Sequence, residues 1–388
     1  MSASSKRLDA LDGLRALAIF LVLSFHYWQQ SWISTSFTIG KLTIDLSIPV
    51  TQGSYGVTLL FAISGFGLYY SSRPGKPFSL GTYVRKRCAR ILPTYWICVL
   101  VSAAYQIGRL APATLKEQFI ANMTLTQMMT PSVSYNMLNG ALWSLAIEAQ
   151  FYVVFPLIRR WFRGHPYLIT AAAYALAQLW RTWRGVYRYE DNLWYFANQL
   201  PGWIDVFVGG MLAAHIVITL QDTLTDEQRE KLAPAASALL LAGLAVIYVT
   251  MRYRFVNRYD DIPENTTRLE LTMRAVISLG ACMALVGCAF PNRLARACLG
   301  NRLARFLGGI SYQVYMWHMF IALRLKELRI PNYTTERAMD DLAWRPKYVL
   351  LSLILTMIVS VAMTYLAERP LSKLLLKPHN IPTQPSAE

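Results

Sequence analysis

The sequence predicts an all-α polytopic membrane protein with about ten transmembrane helices around a central polar cavity. Three observations predict it. Of its 388 residues 54% are hydrophobic and only 15% charged, a composition that belongs to membrane proteins. The apolar residues gather in segments near the roughly 20 residues that cross a bilayer. Lys and Arg gather between those segments. A net charge of +16 would also suit a nucleic-acid binder, but its placement at the flanks of apolar runs argues against that class.

The apolar segments centre on 11–28, 55–71, 91–107, 141–158, 166–180, 201–220, 233–250, 271–290, 306–323 and 347–367. An even number puts both termini on one side. Arg73, Lys76, Arg85, Lys86, Arg87 and Arg90 fall on the side of Lys6 and Arg7, whereas the opposite side begins with only Lys41, Arg109 and Lys116. This bias places both termini in the cytoplasm. The 324–347 loop, with Arg324, Lys326, Arg329, Arg337, Arg345 and Lys347 on the expected outer face, runs against the trend. The basic N-terminus and its apolar run have no prompt A-x-A site, so they read as a retained first span. Residues 1–377 read as one transmembrane domain and 378–388 as a short polar tail.

Five cysteines, Cys88, Cys98, Cys282, Cys288 and Cys298, show no metal-ligand spacing and avoid the expected outer loops. Neither a disulfide framework nor a metal site is expected. Three N-x-T sequons, at Asn122, Asn265 and Asn332, fall in expected outer loops.

The first span, DGLRALAIFLVLSFHYW, carries Arg15 and His26. Eleven positions rotate a helix by about 1100°, so the two share a face within roughly 20°, about 16 Å apart along the axis. Such residues face a bundle interior or a wet cavity; taken alone, Arg15 would snorkel to the headgroups and His26 would be a bonded core histidine. The next segment, GSYGVTLLFAISGFGLYY, holds Gly53, Gly56, Gly65 and Gly67, which let helices approach closely. Ser64 reads there as a packing residue, since no G-x-S-x-G pattern surrounds it.

YVRKRCARILPTYW places Arg85, Arg87 and Arg90 at the cytoplasmic boundary. Arg87 and Arg90 share a helix face, and arginine forks match phosphate oxygens; ordinary flanking charge would leave the same mark. In ALWSLAIEAQFYVVFPL, Glu148 sits in mid-span with Ser144 and Tyr152 on its stripe, where a carboxylate is costly and a functional candidate. It could pair with Arg15, which would keep it ionised, orient His26, or act as acid or base. LGGISYQVYMWHMF sets Ser311, Tyr315 and His318 on one polar stripe. Glu368 and Arg369 close the last span and read as a boundary cap.

In this order the stretches beginning at Leu11, GSYGVTLLFAISGF, RKRCARILPTYW, LWSLAIEAQFY and GISYQVYMWH resemble the acyltransferase 3 family of integral-membrane acyltransferases, from Leu11 to about Pro370. The resemblance implies transfer of an acyl group, usually acetyl from acetyl-CoA, to a hydroxyl of a carbohydrate or related acceptor. It implies that Arg15 and His26 are essential and that Arg87 and Arg90, with Arg85 beside them, help bind the acyl donor. It also implies a stand-alone form without a soluble hydrolase domain, in a bacterial inner (plasma) membrane, with a carbohydrate or glycolipid acceptor, membrane lipids and a separate acyl-accepting or glycan-assembly protein as partners. On this reading His26 is a general base or a covalent acyl carrier, Glu148 supports it, and Ser311, Tyr315 or His318 line the acceptor side or stabilise an oxyanion. An antibiotic, lipid or glucan acceptor, a glycolipid transporter or flippase, and a non-catalytic sensor stay open as alternatives.

Overall fold

The computed structural model describes residues 9–135, 138–187, 193–257 and 263–377; the tail from 378 lies outside the described residues. The longer helices are α1 (Asp9–Ser31), α2 (Gly56–Ser71), α3 (Leu80–Gln106), α4 (Pro112–Met123), α5 (Trp143–Phe162) and α6 (Pro166–Tyr187) in the first half. The second half adds α7 (Ile204–Thr223), α8 (Ala233–Asn257), α9 (Pro263–Ala289), α10 (Arg302–Glu327), α11 (Trp344–Ala362) and α12 (Arg369–Leu376). A π-helical turn, Met363–Glu368, joins α11 to α12. A short antiparallel hairpin, β1 (Ser36–Ile39) with β2 (Leu42–Asp45), follows α1.

Among the described residues seven helical stretches are long and apolar enough to cross a membrane: Asp9–Ser31, Leu80–Gln106, Gly140–Phe162, Ile204–Thr223, Ala233–Asn257, Thr272–Ala289 and Trp344–Leu376. The remaining apolar segments of the sequence form α2, α6 and α10. Local chemistry sets several ends. Asp9 and Asp12 lie in the first turn of α1, where negative charge offsets the helix dipole. The Asn301 side chain caps α10 by accepting from Ala304 N at 2.8 Å.

α1 packs against α2 and α10, and α7 packs against α2, α6 and α9. Small residues make these contacts close. A Cβ on Gly65 would lie 2.0 Å from the Phe207 carbonyl oxygen, and one on Gly210 would lie 2.0 Å from that of Ala62. The α2 and α7 backbones therefore touch, as small residues permit between membrane helices.

Between α3 and α5 the chain doubles back. Tyr95 Oη donates to the Asn122 carbonyl at 2.8 Å and Trp96 Nε1 to that of Met123 at 3.0 Å, so the end of α4 lies beside the middle of α3. Gln127 Nε2 then reaches Tyr95 Oη and the Leu142 carbonyl. Asn122 is fully buried, which corrects the expectation of a sequon in an outer loop. The hydropathy window closed the span at residue 107 and could not register a helix returning along it.

One ion pair is sealed inside. Arg181 Nη2 lies 2.5 Å from Asp205 Oδ2, and both side chains are fully buried between α6 and α7. Removing one partner leaves the other charge without compensation, at a cost of about 3–5 kcal/mol. Arg181→Met or Asp205→Ala is expected to lower the thermal transition of the purified protein sharply. An unchanged transition would contradict this.

Candidate active site

An inner cavity of about 300 Å³ opens between α1, α2, α3, α5 and α10. α1 contributes Arg15, whose Nη1 donates to Asp12 Oδ1 one turn back at 3.2 Å. α3 contributes Arg87 and Arg90, three residues apart and so on one face. The Arg87 guanidinium lies over the Tyr83 and Tyr152 rings at 5.9 and 5.7 Å, where the ring faces favour a cation. Arg85 does not join them. Two residues before Arg87 it is turned about 200° around the helix, is exposed, and its Nη2 donates to the Leu376 carbonyl of α12 at 3.4 Å. It is not among the residues that line this cavity.

Glu148 lines the same cavity. Its Oε1 accepts from Ser64 Oγ and from Tyr152 Oη, each at 2.5 Å. Both are short hydroxyl-to-carboxyl bonds. No hydrogen bond joins Glu148 to Arg15 or His26 among the described residues; it ties α2 to its own helix instead. Ser64 is thus a cavity residue that the sequence reading took for packing. The signal was present in α2, where Ser64, Gly67 and Ser71, all lining the cavity, recur at i, i+3 and i+7 as a small, polar stripe.

Ser311 and Tyr315 also face the inner cavity. Ser311 Oγ donates to the Gly308 carbonyl at 2.8 Å, and Ser144 Oγ donates to Tyr315 Oη at 2.6 Å. They do not lie on the His26 side.

His26 lines a second, outer cavity of about 700 Å³, with Gln29, Tyr55, Thr58, Trp143, Trp203, Arg254 and Arg274 around it. Val57 lines both cavities. Arg274 stacks on Trp203, 3.7 Å from the ring centroid, and its Nη1 donates to the Ala197 carbonyl at 2.7 Å. The tryptophans and these arginines come from four separate stretches of chain, so no single motif announced them.

His318, one turn beyond Tyr315, is fully buried. Its Nδ1 lies 2.7 Å from the Tyr315 carbonyl oxygen and 3.2 Å from that of Val314, and its Nε2 lies 3.0 Å from His26 Nδ1. A carbonyl only accepts, so His318 Nδ1 carries its proton. In the neutral ring Nε2 is then the acceptor, and His26 Nδ1 must be the donor. This leaves the lone pair of neutral His26 on Nε2. His318 Nε2 thus accepts from His26 Nδ1. Among the described residues no group of three His, Cys, Asp or Glu side chains could hold a metal ion.

The sequence profile of a family described as an acyltransferase domain matches residues 8–365. The chain is 31% identical over 163 residues to acyltransferase MdmB of Streptomyces mycarofaciens, covering 40% of each chain. It is 22% identical over 364 residues to peptidoglycan O-acetyltransferase OatA of Listeria monocytogenes, covering 88% of this chain and 53% of that one. The match thus spans about half, or less, of the length of these curated relatives. No solved structure matches the chain.

Proposed function

The chain belongs to this acyltransferase family, and from that premise we propose that it transfers an acyl group, acetyl first among candidates, from acyl-CoA across the membrane to a hydroxyl of a surface carbohydrate. The observation that carries this reading is the pair of cavities that share Val57 in their walls, Arg15, Arg87 and Arg90 in one and His26 in the other. With α2, α6 and α10 counted as crossings beside the seven apolar stretches, the chain passes ten times. Both ends then lie on the arginine side, the cytoplasm of a bacterial inner membrane, as the Lys and Arg of the 73–90 region favour.

Cytosolic acyl-CoA would meet Arg87 and Arg90 first, whose guanidinium forks suit its phosphates. Its pantetheine arm would run along the inner cavity past Arg15 and the Ser64–Glu148 pair, bringing the thioester toward His26. The acceptor would enter the outer cavity, where half-buried Trp143 offers a flat apolar face of the kind that sugar rings cover. His26 Nε2 takes the acceptor hydroxyl proton as the oxygen attacks the thioester carbonyl. The carbon–sulfur bond then breaks, and the proton passes from His26 to the departing CoA sulfur. OatA, named for O-acetylation of peptidoglycan, lends support to a carbohydrate acceptor.

Phosphate contacts of this kind contribute about 1.5–3 kcal/mol each, or roughly ten- to hundredfold in affinity. Arg87→Ala and Arg90→Ala are each expected to raise KM for acetyl-CoA by that factor with a smaller effect on kcat. Arg85→Ala should leave both constants unchanged. Labelled acetyl-CoA and the purified protein in vesicles measure this, and an unaltered KM in both inner variants would sink the donor assignment.

A further inference from the structure

At the end of the bundle that carries residue 9, two adjoining hollows open on its outer wall. One, about 310 Å³, is lined by Arg302, Arg305, Arg369, Phe306, Gly309 and Tyr365. The other, about 510 Å³, is lined by Met357, Ile358, Val361, Ala362, Tyr365 and Leu366. Tyr365 lines both, so a basic hollow continues into an apolar one. Arg305 Nη1 pairs with Asp9 Oδ2 at 3.0 Å, and Arg85 of α3 reaches the end of α12. The basic hollow therefore sits at the same end as the arginines of α3.

We infer that this composite groove binds one anionic phospholipid, its phosphate between Arg302 and Arg369 and an acyl chain along Ile358, Val361 and Leu366. Charge complementarity names the headgroup. Arginine forks match phosphate oxygens, and among the described residues neither Arg302 nor Arg369 has a carboxylate within ion-pair distance, whereas Arg305 is taken by Asp9. Basic clusters at the cytoplasmic edge of a membrane protein recognise anionic lipids. The apolar hollow names the chain, because Leu366 is 79% and Ile358 59% exposed with no protein covering them.

The π-helical turn Met363–Glu368 and the residue after it border the groove. The turn sets adjacent residues to opposite tasks, with Glu368 Oε2 accepting inward from Gln313 Nε2 at 2.7 Å while the Arg369 guanidinium lies outward, 4.2 Å from the Tyr365 ring. Such turns interrupt helices at sites of function. Beyond it α12 leaves Leu374 and Leu375 exposed, as a helix lying in the lipid interface would. The inference needs only the membrane placement of the chain and not its chemistry.

Native mass spectrometry of the detergent-purified full chain, titrated with phosphatidylglycerol or phosphatidylcholine of identical chains, tests it. The expected result is one phosphatidylglycerol retained at a concentration about tenfold or more below that needed for phosphatidylcholine. R302Q/R369Q should abolish the preference, V361W should weaken retention by filling the apolar hollow, and glycerol phosphate without chains should not compete. Equal retention of the two lipids, an undiminished preference in R302Q/R369Q, or competition by glycerol phosphate would each overturn it. Should the double variant fail to fold, R302Q alone and the comparison of lipids on the unaltered protein still decide.

Discussion

Alanine at His26 is expected to slow acyl transfer by about 10²–10⁴-fold, the range associated with a positioned general base. His26 lines the outer cavity while Arg15, eleven residues earlier, lines the inner one, so the substitution should fall on the chemical step and spare donor binding. KM for acetyl-CoA should stay near that of the unaltered protein as kcat collapses, the pattern of an interaction used only at the transition state. The ring touches His318 and aromatic neighbours, so the variant needs a folding control by thermal transition. A folded His26→Ala protein that moves labelled acetyl to glycan at the original rate would remove His26 from the mechanism.

The second large effect is expected one residue away from the reacting atoms. His318 does not line either cavity; its Nε2 lies 3.0 Å from His26 Nδ1 and its Nδ1 2.7 Å from the Tyr315 carbonyl oxygen, the contacts a positioning residue would make. Which nitrogen of a histidine is free is set by the bond the other makes. His318→Ala lets the His26 ring turn and exchange tautomers, and misplacement of about 1 Å at a reacting group costs about 10²-fold. His318→Gln, whose side-chain oxygen can accept from His26 Nδ1–H, should recover a substantial part of that loss. A purely structural role predicts the opposite order of effects, loss of thermal stability without recovery of kcat by Gln. Equal kcat in the Ala and Gln variants would refute the positioning role.

Much of the architecture was legible because bilayer chemistry writes long, plain signals. Each apolar segment of the sequence became a helix, and the shared face of Arg15 and His26 followed from 3.6 residues per turn alone. Departures have physical causes. α4 is 12 residues with Lys116 and Glu117 inside it, too short and polar for a hydropathy window, yet its return along α3 buries Asn122. The β1–β2 hairpin has every residue at least partly exposed, so no alternation of apolar and polar side chains marked it.

At the candidate site, positions on one helix were readable and contacts between helices were not. Arg87 and Arg90 were placed by i, i+3 spacing, and the same geometry would have set Arg85 aside. Glu148 was singled out for the expense of a carboxylate in mid-span, but its partners Ser64 and Tyr152 depend on how α2 meets α5. Ser311, Tyr315 and His318 form one stripe on α10, as expected, yet the stripe runs past the boundary between the two cavities. The stripe could not show where that boundary falls.

The meeting of the cavities at a single valine also bears on the electrical life of the membrane. A continuous wet shaft from Arg87 to His26 would let small ions through, and each unit charge falling across 100 mV releases about 2.3 kcal/mol. On the proposed function, two chambers that share only Val57 in their walls would let a thioester be presented on one side and a hydroxyl on the other while the bilayer remains an insulator. Acylation at the surface then need not discharge the potential on which the rest of the membrane depends.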